Sequence, residues 1–188
     1  MTGELHDIGG RLRAEREAHG ISQRELARRL GLSASLISQI ESGQSKPSVS
    51  TLYAIVTEFG ASIDHLFRGD DGDQQDSLIH PAERDAIELS SGVRWERLTA
   101  HDANVDFLHV VYDVGGSSSP DERLMRHRGR EYGYVVSGRL GVQIGFERHE
   151  LGPGDSIAFD SNHPHRLWNL GDEPVHGIWF VVGRYNPT

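Results

Sequence analysis

One glycine, Gly31, separates two segments that are each too short to stand as an isolated helix, and no other feature constrains the fold as tightly. Ser22 caps the first segment. Glu25, three residues on, completes a capping box, with Ile21 and Leu26 in staple positions. Ser33 caps the second segment, and Leu32 and Ile37 repeat the staple. Ala27 is small enough to let the two helices cross closely, Gly31 permits the left-handed turn between them, and Ile37 anchors the second in a core. Flanking periodicity extends the pattern. Leu5, Ile8 and Leu12 mark a helix ended by Gly20, and Leu36, Ile37 and Ile40 form a buried face stopped at Gly43. Pro47-Ser48 opens a helix in which Leu52, Ile55, Val56 and Phe59 repeat at helical spacing up to Gly60. Ser62 starts a last short helix through Leu66 and Phe67. The expectation is an all-α domain of five helices over residues 1–67.

Two short helices joined in this way make a helix-turn-helix, whose second helix enters the DNA major groove. The spacing Gln23, Ala27, Gly31, Ile37, then Ile40-Glu41-Ser42-Gly43 and Lys46-Pro47, resembles the XRE family, the Cro and phage-repressor type. The resemblance covers about residues 8–67, with the motif at 22–41. It implies that Ala34, Ser35, Ser38 and Gln39 face the groove. It also implies that Gln23 and its helix N-terminus clamp a phosphate, and that Lys46 adds a charge contact. Three of the four groove residues are short, and none is Arg or Asn; Gln39 is the one suited to adenine. Shape and backbone contacts are therefore expected to outweigh base readout. Arg11, Arg13 and Arg16, interleaved with Glu15 and Glu17, read as a solvated helix face.

Charge divides the chain beyond this domain. Residues 1–69 balance eight Arg/Lys against eight Asp/Glu, whereas residues 70–188 account for the whole net charge of −9. A neutral reader is compatible with DNA, because phosphate binding depends on local charge rather than on the total. The polar, acidic stretch Arg68-Gly69-Asp70-Asp71-Gly72-Asp73-Gln74-Gln75-Asp76 reads as a linker, placed at 68–83, ahead of a second domain over 84–188. The absence of Cys excludes disulfides, thiolate metal sites and cysteine nucleophiles, in keeping with a cytoplasmic protein. No apolar run approaches the roughly 18 residues of a membrane span. Residues 1–7 have neither a basic end nor an apolar stretch, so no signal peptide and no membrane association are expected.

In the second half, Val93–Leu98, Val105–Val114, Tyr132–Val136, Gly141–Phe146, Ser156–Phe159 and Pro174–Val182 read as short strands punctuated by turns. That spacing predicts an all-β sandwich or jelly roll, with Trp168 and Trp179 as core or as walls of a ligand pocket. Two segments carry a further resemblance. Met125-Arg126-His127-Arg128-Gly129-Arg130-Glu131 leads to Gly138, and Gly154 is followed by Asp160, Asn162-His163-Pro164-His165 and Asn169. They resemble the paired motifs of the cupin family over about residues 84–183. The resemblance implies a barrel in which His127, Glu131 and His165 converge. Met125 stands where the family's first His is expected, and Asp160 and Asn162 replace a Pro and a Gly. Two imidazoles and a carboxylate match the facial triad of non-haem iron sites and suit Fe, Mn, Zn or Ni. The alternative is a triad that lines a polar pocket without metal. His163 offers an additional ligand, though beside Pro164 it reads rather as a turn residue.

The two resemblances together imply a transcriptional regulator that binds a double-stranded DNA operator, with a cupin domain that senses a small-molecule effector or metal and supports a homodimer. The other reading is a non-haem iron enzyme. Fosfomycin-forming epoxidases resemble this layout, with a helix-turn-helix ahead of a two-His-one-Glu cupin.

Overall fold

A computed structural model describes residues 8–61, 63–67, 78–99 and 105–183. Leu5, Ser62 and the acidic stretch 68–76 fall outside them. Helices α1 (Ile8–Ala18), α2 (Gln23–Leu30), α3 (Ala34–Glu41) and α4 (Val49–Phe59) build the amino-terminal half. The expected fifth helix is a segment of five residues, α5 (Ile63–Phe67), little more than one turn.

The caps operate as local chemistry dictates. The hydroxyls of Ser22, Ser33 and Ser48 accept from the backbone N–H groups of Glu25, Leu36 and Thr51. Gly31 takes φ 65°, ψ 30°, and its N–H closes α2 on Ala27 and Arg28. Glu25 departs from the expected reciprocal box: Arg28 and Arg29 both donate to its carboxylate, at 2.8–2.9 Å. A charged guanidinium is a stronger donor than the backbone N–H it displaces.

Arg16 corrects the reading of α1 as evenly solvated. It is buried, donating to the buried Glu41 carboxylate at 2.6 and 2.9 Å. Gln23 adds a third bond to the same carboxylate, Nε2 to Oε2 at 2.8 Å. One carboxylate thereby ties α1, α2 and α3 together. Arg13 does remain exposed, paired with Glu17 at 2.8 Å.

Among the described residues, nine strands follow a 3₁₀ turn at Pro81–Glu83: β1 (Ala86–Leu89), β2 (Val93–Arg97), β3 (Val105–Tyr112), β4 (Arg130–Ser137), β5 (Leu140–Ile144), β6 (Glu147–Leu151), β7 (Ser156–Asp160), β8 (His165–Asn169) and β9 (Val175–Val182). They form a six-stranded sheet, β1-β2-β3-β9-β4-β7, and a three-stranded sheet, β6-β5-β8, antiparallel throughout. Inward residues alternate with outward ones along β3, β8 and β9, as period-2 geometry requires. In β8 that alternation buries His165 and Leu167 and turns Trp168 outward, where Arg166 stacks on it at 5.1 Å. Trp168 is thus not core, whereas Trp179 is.

The buried apolar side chains of both halves belong to one hydrophobic cluster. The start of α4 is stitched to the barrel by two backbone hydrogen bonds, Ser50 N–H to Ser118 O at 2.9 Å and Ser90 N–H to Pro47 O at 3.0 Å. Arg97 of β2 lies over the Phe67 ring, 5.8 Å from its centroid.

Removing one partner from the Arg16–Glu41 pair strands a buried charge. Glu41→Ala is expected to cost about 3 kcal/mol or more in urea unfolding. Arg13→Ala, at an exposed pair, should cost within about 0.5 kcal/mol.

Candidate functional site

His127 precedes β4, Glu131 lies at its start, and His165 opens β8, so the triad bridges the two sheets. All three side chains are buried. The Glu131 Oε1 lies 2.9 Å from His127 Nε2 and 3.1 Å from His165 Nε2. The opposite ring nitrogens face backbone carbonyls: His127 Nδ1 to Arg128 O at 3.1 Å and His165 Nδ1 to His163 O at 2.9 Å. A carbonyl only accepts, so each Nδ1 carries a proton. In a neutral ring the Nε2 lone pair then points at the carboxylate, and three electron-rich atoms converge. Only positive charge among them makes the arrangement favourable, either ring protons or a metal ion.

The geometry fits a metal. Bonds of about 2.0–2.1 Å at right angles place neighbouring ligand atoms about 3 Å apart, and the observed separations are 2.9 and 3.1 Å. Two imidazole nitrogens and one carboxylate oxygen suit Fe, Mn, Zn or Ni rather than Ca or Mg. The remaining carboxylate oxygen, Oε2, accepts from the Trp179 indole N–H at 2.7 Å, which fixes the rotation of the carboxylate. Burial pushes the Glu131 carboxyl up, but hydrogen bonding and charge from His127 and His165 outweigh it and hold the group well below the usual range. The Trp179 ring reaches its place because Gly133 opposes it across the β4–β9 pair: a Cβ on Gly133 would lie 2.1 Å from the indole.

Met125 stands beside His165 in an antiparallel bridge and lines the cavity above the triad, so the first-motif position is occupied by a thioether rather than an imidazole. His163 is exposed in the turn, as expected, and contributes its carbonyl rather than its ring. Tyr112 lines the same cavity, its phenol fully buried and pushed far up by burial and by the neighbouring Glu131.

Tyr53 was not foreseen as a site residue. It projects from α4 into the mouth of the barrel, with its ring stacked on His127 at 4.2 Å and 8° and edge-on to Trp95 at 5.6 Å. The signal was present but indirect. Val49 and Tyr53 form a second apolar i, i+4 pair beside the stripe of Leu52, Ile55, Val56 and Phe59, and a second buried face needs a second packing partner.

On α3, Ser35, Ser38 and Gln39 share one exposed face at i, i+3, i+4, opposite the buried Ile37 and Ile40; Ala34 is half-buried at the helix start. Lys46 is exposed just beyond. Gln23 lies at the start of α2, but its amide is already engaged by Glu41, so its side chain has a structural bond that sequence reasoning did not anticipate. No helix among the described residues is long and apolar enough to cross a membrane.

A helix-turn-helix followed by a barrel with a buried His-Glu-His triad gives the chain a two-domain layout. Comparison with known proteins agrees. The helix-turn-helix family matches residues 12–66 and the cupin domain residues 108–181. The chain aligns with the HTH-type transcriptional regulator PuuR of Escherichia coli (strain K12) over 190 residues at 28% identity, covering 100% of this chain and 99% of that one. An uncharacterized HTH-type transcriptional regulator of Archaeoglobus fulgidus is 38% identical over 61 residues, 32% of this chain and 87% of the relative. The structure of an HTH_3 family transcriptional regulator from Vibrio cholerae superposes with a TM-score of 0.70 at 22% identity, covering 95% and 96% of the two chains. The chain belongs to the XRE-type helix-turn-helix transcriptional regulators and carries a cupin domain. Its end-to-end alignment with a regulator favours regulation over iron-enzyme chemistry.

Trp179→Phe removes the pyrrole part of the indole and with it the donor to Glu131, so loss of packing adds to loss of the bond. A charge-assisted bond of this kind is worth about 1.5–3 kcal/mol, and the loss should appear as a lowered midpoint in thermal unfolding.

Proposed function

We propose that this regulator binds a double-stranded operator as a homodimer in the cytoplasm. Its DNA-reading domain spans 1–67, and the segment 68–83 joins it to a cupin sensor over 84–188. Ser35, Ser38 and Gln39 read the major groove with Ala34 at the helix entry, while Lys46 and the start of α2 at Gln23 contact phosphates. The observation that carries this reading is the bare, polar, three-residue face of α3 held rigid from behind by the Arg16–Glu41–Gln23 network. The barrel senses a divalent metal or a small-molecule effector at His127, Glu131 and His165. If bound, the metal supplies a positive centre with open positions, and the three side chains orient it.

The outer face of the six-stranded sheet supports the dimer. Tyr132, Tyr134, Val136 and Phe180 are exposed there, with Tyr132 beside Phe180 in register and Phe107 stacked on Phe180 at 4.3 Å. Neighbouring apolar side chains on one sheet face are the usual mark of an interface. A two-fold pair sets two copies of α3 about 34 Å apart, one turn of DNA.

Three measurements test the reading. In gel shifts over flanking genomic DNA, wild type should prefer a near-palindromic duplex to random DNA. Gln39→Ala should lose about 1–3 kcal/mol of that preference, and binding should weaken steeply with salt. No preference over random duplex would sink the proposal. Phe180→Lys with Tyr134→Lys should sediment as a monomer at concentrations where wild type is a dimer. Elemental analysis of protein purified without chelator should find one equivalent of divalent metal in wild type and none in Glu131→Ala; metal-free wild type that still binds DNA would assign the pocket to an organic effector.

A further inference from the structure

We infer that Tyr53, a residue of the DNA-reading half, is the closing wall of the barrel's ligand site, so that a ligand larger than a metal with one water binds only by displacing it from His127. The inference rests on the reading of the barrel as the sensor.

One cavity is lined by Val49 and Tyr53 of α4 together with Trp95, Tyr112, Trp179 and, from the triad, Glu131 of the barrel. Its volume is about 20 Å³, which holds a single water. An organic ligand needs a wall to move. On the barrel side, Trp95, Tyr112, Glu131 and Trp179 sit on strands of the six-stranded sheet, Leu167 on β8 of the smaller sheet, and Met125 is held by its backbone bridge to His165. The α4 side is different. Among the described residues, two backbone hydrogen bonds join α4 and its lead-in to the barrel, Ser50 to Ser118 and Ser90 to Pro47. Opposite Tyr53, the stripe of Leu52, Ile55, Val56 and Phe59 is buried in the helical core, so α4 moves with the reader rather than alone. The ring of Tyr53 covers one face of the His127 imidazole, whose Nε2 points to Glu131, and whatever seats on that pair meets Tyr53 first.

Binding in the barrel and docking of the reader therefore compete for the same space. Linkage makes this reciprocal: holding the reader against the barrel weakens ligand binding by the factor by which the ligand loosens the reader.

The test uses the full chain in a Trp168→Phe background, which removes the outward-facing indole and leaves Trp95 and Trp179 to report on the cavity wall and the buried core. Acrylamide, larger than the free volume, should quench them about ten-fold faster in Tyr53→Ala than in wild type, as expected if the open arrangement is populated at a tenth or less. Tyr53→Phe keeps the ring and should match wild type. Zinc, which fits the free volume without displacing Tyr53, should bind all three proteins. Equal quenching in all three proteins overturns the inference. So does the absence, in unmutated protein, of a nuclear Overhauser contact between the Tyr53 and His127 rings, a measurement that does not depend on any variant folding. If zinc binds none of the proteins, the metal reading of the triad fails, while quenching still decides the role of Tyr53. Loss of operator preference would likewise remove the regulatory reading without touching this result.

Discussion

A carboxylate with almost no exposure, Glu131, is the constraint around which the second half of this protein is organised. An ionised carboxyl in a barrel core is untenable unless positive charge and hydrogen-bond donors surround it. The sheet registers supply them. The pairing of β4 with β9 brings Trp179 within reach of Oε2, and the bridge between Met125 and His165 sets the second imidazole against Oε1. Even Gly133 follows from this constraint, since a side chain there would evict the indole that orients the carboxylate. The triad is thus built into the pairing of the strands, not appended to a finished barrel.

The first half contains a matching case. Glu41 is buried between Arg16 and Gln23: α1 and α3 cannot part without stranding a charge, and α2 cannot shift without giving up the Gln23 bond. The helix-turn-helix is rigid for this reason, since its helices are too short to hold themselves in register by propensity. Rigidity matters at the junction with the barrel. A stiff reader transmits a displacement of Tyr53 to α3 as a body, whereas a loose one would absorb it within α4.

What the sequence revealed and what it hid divide along the range of the interactions. Caps at Ser22, Ser33 and Ser48 and the left-handed turn at Gly31 depend on residues within four positions, and all were legible. Strand β6 was missed because four of its five residues are exposed, leaving no alternation to detect. Strand β8 was missed for the opposite reason: its inward positions include His165 and Asn169, polar residues that look like loop until the triad and the Asn169 bonds to the Tyr112 and Asp113 carbonyls are known. Arg16 could not be told from its neighbour Arg13, because whether an arginine is buried depends on a partner 25 residues away. The triad itself was legible, as three residue types at cupin-like spacing. Its aromatic lid was not, because Tyr53 belongs to the other half of the chain.

The modest chemistry of the reading face gives that lid its leverage. Ser35 and Ser38 offer short hydroxyls and Gln39 one amide, so each copy of α3 gains little from base edges alone. In the proposed dimer, preference for an operator then depends on both copies engaging together, at a separation the barrels dictate. A strong reader would tolerate misplacement by binding through one half-site. A weak one would not. On the proposed function, the sparse recognition helix and the contact between Tyr53 and His127 are parts of one arrangement, in which a reader with few base contacts is one that the state of a small cavity can switch.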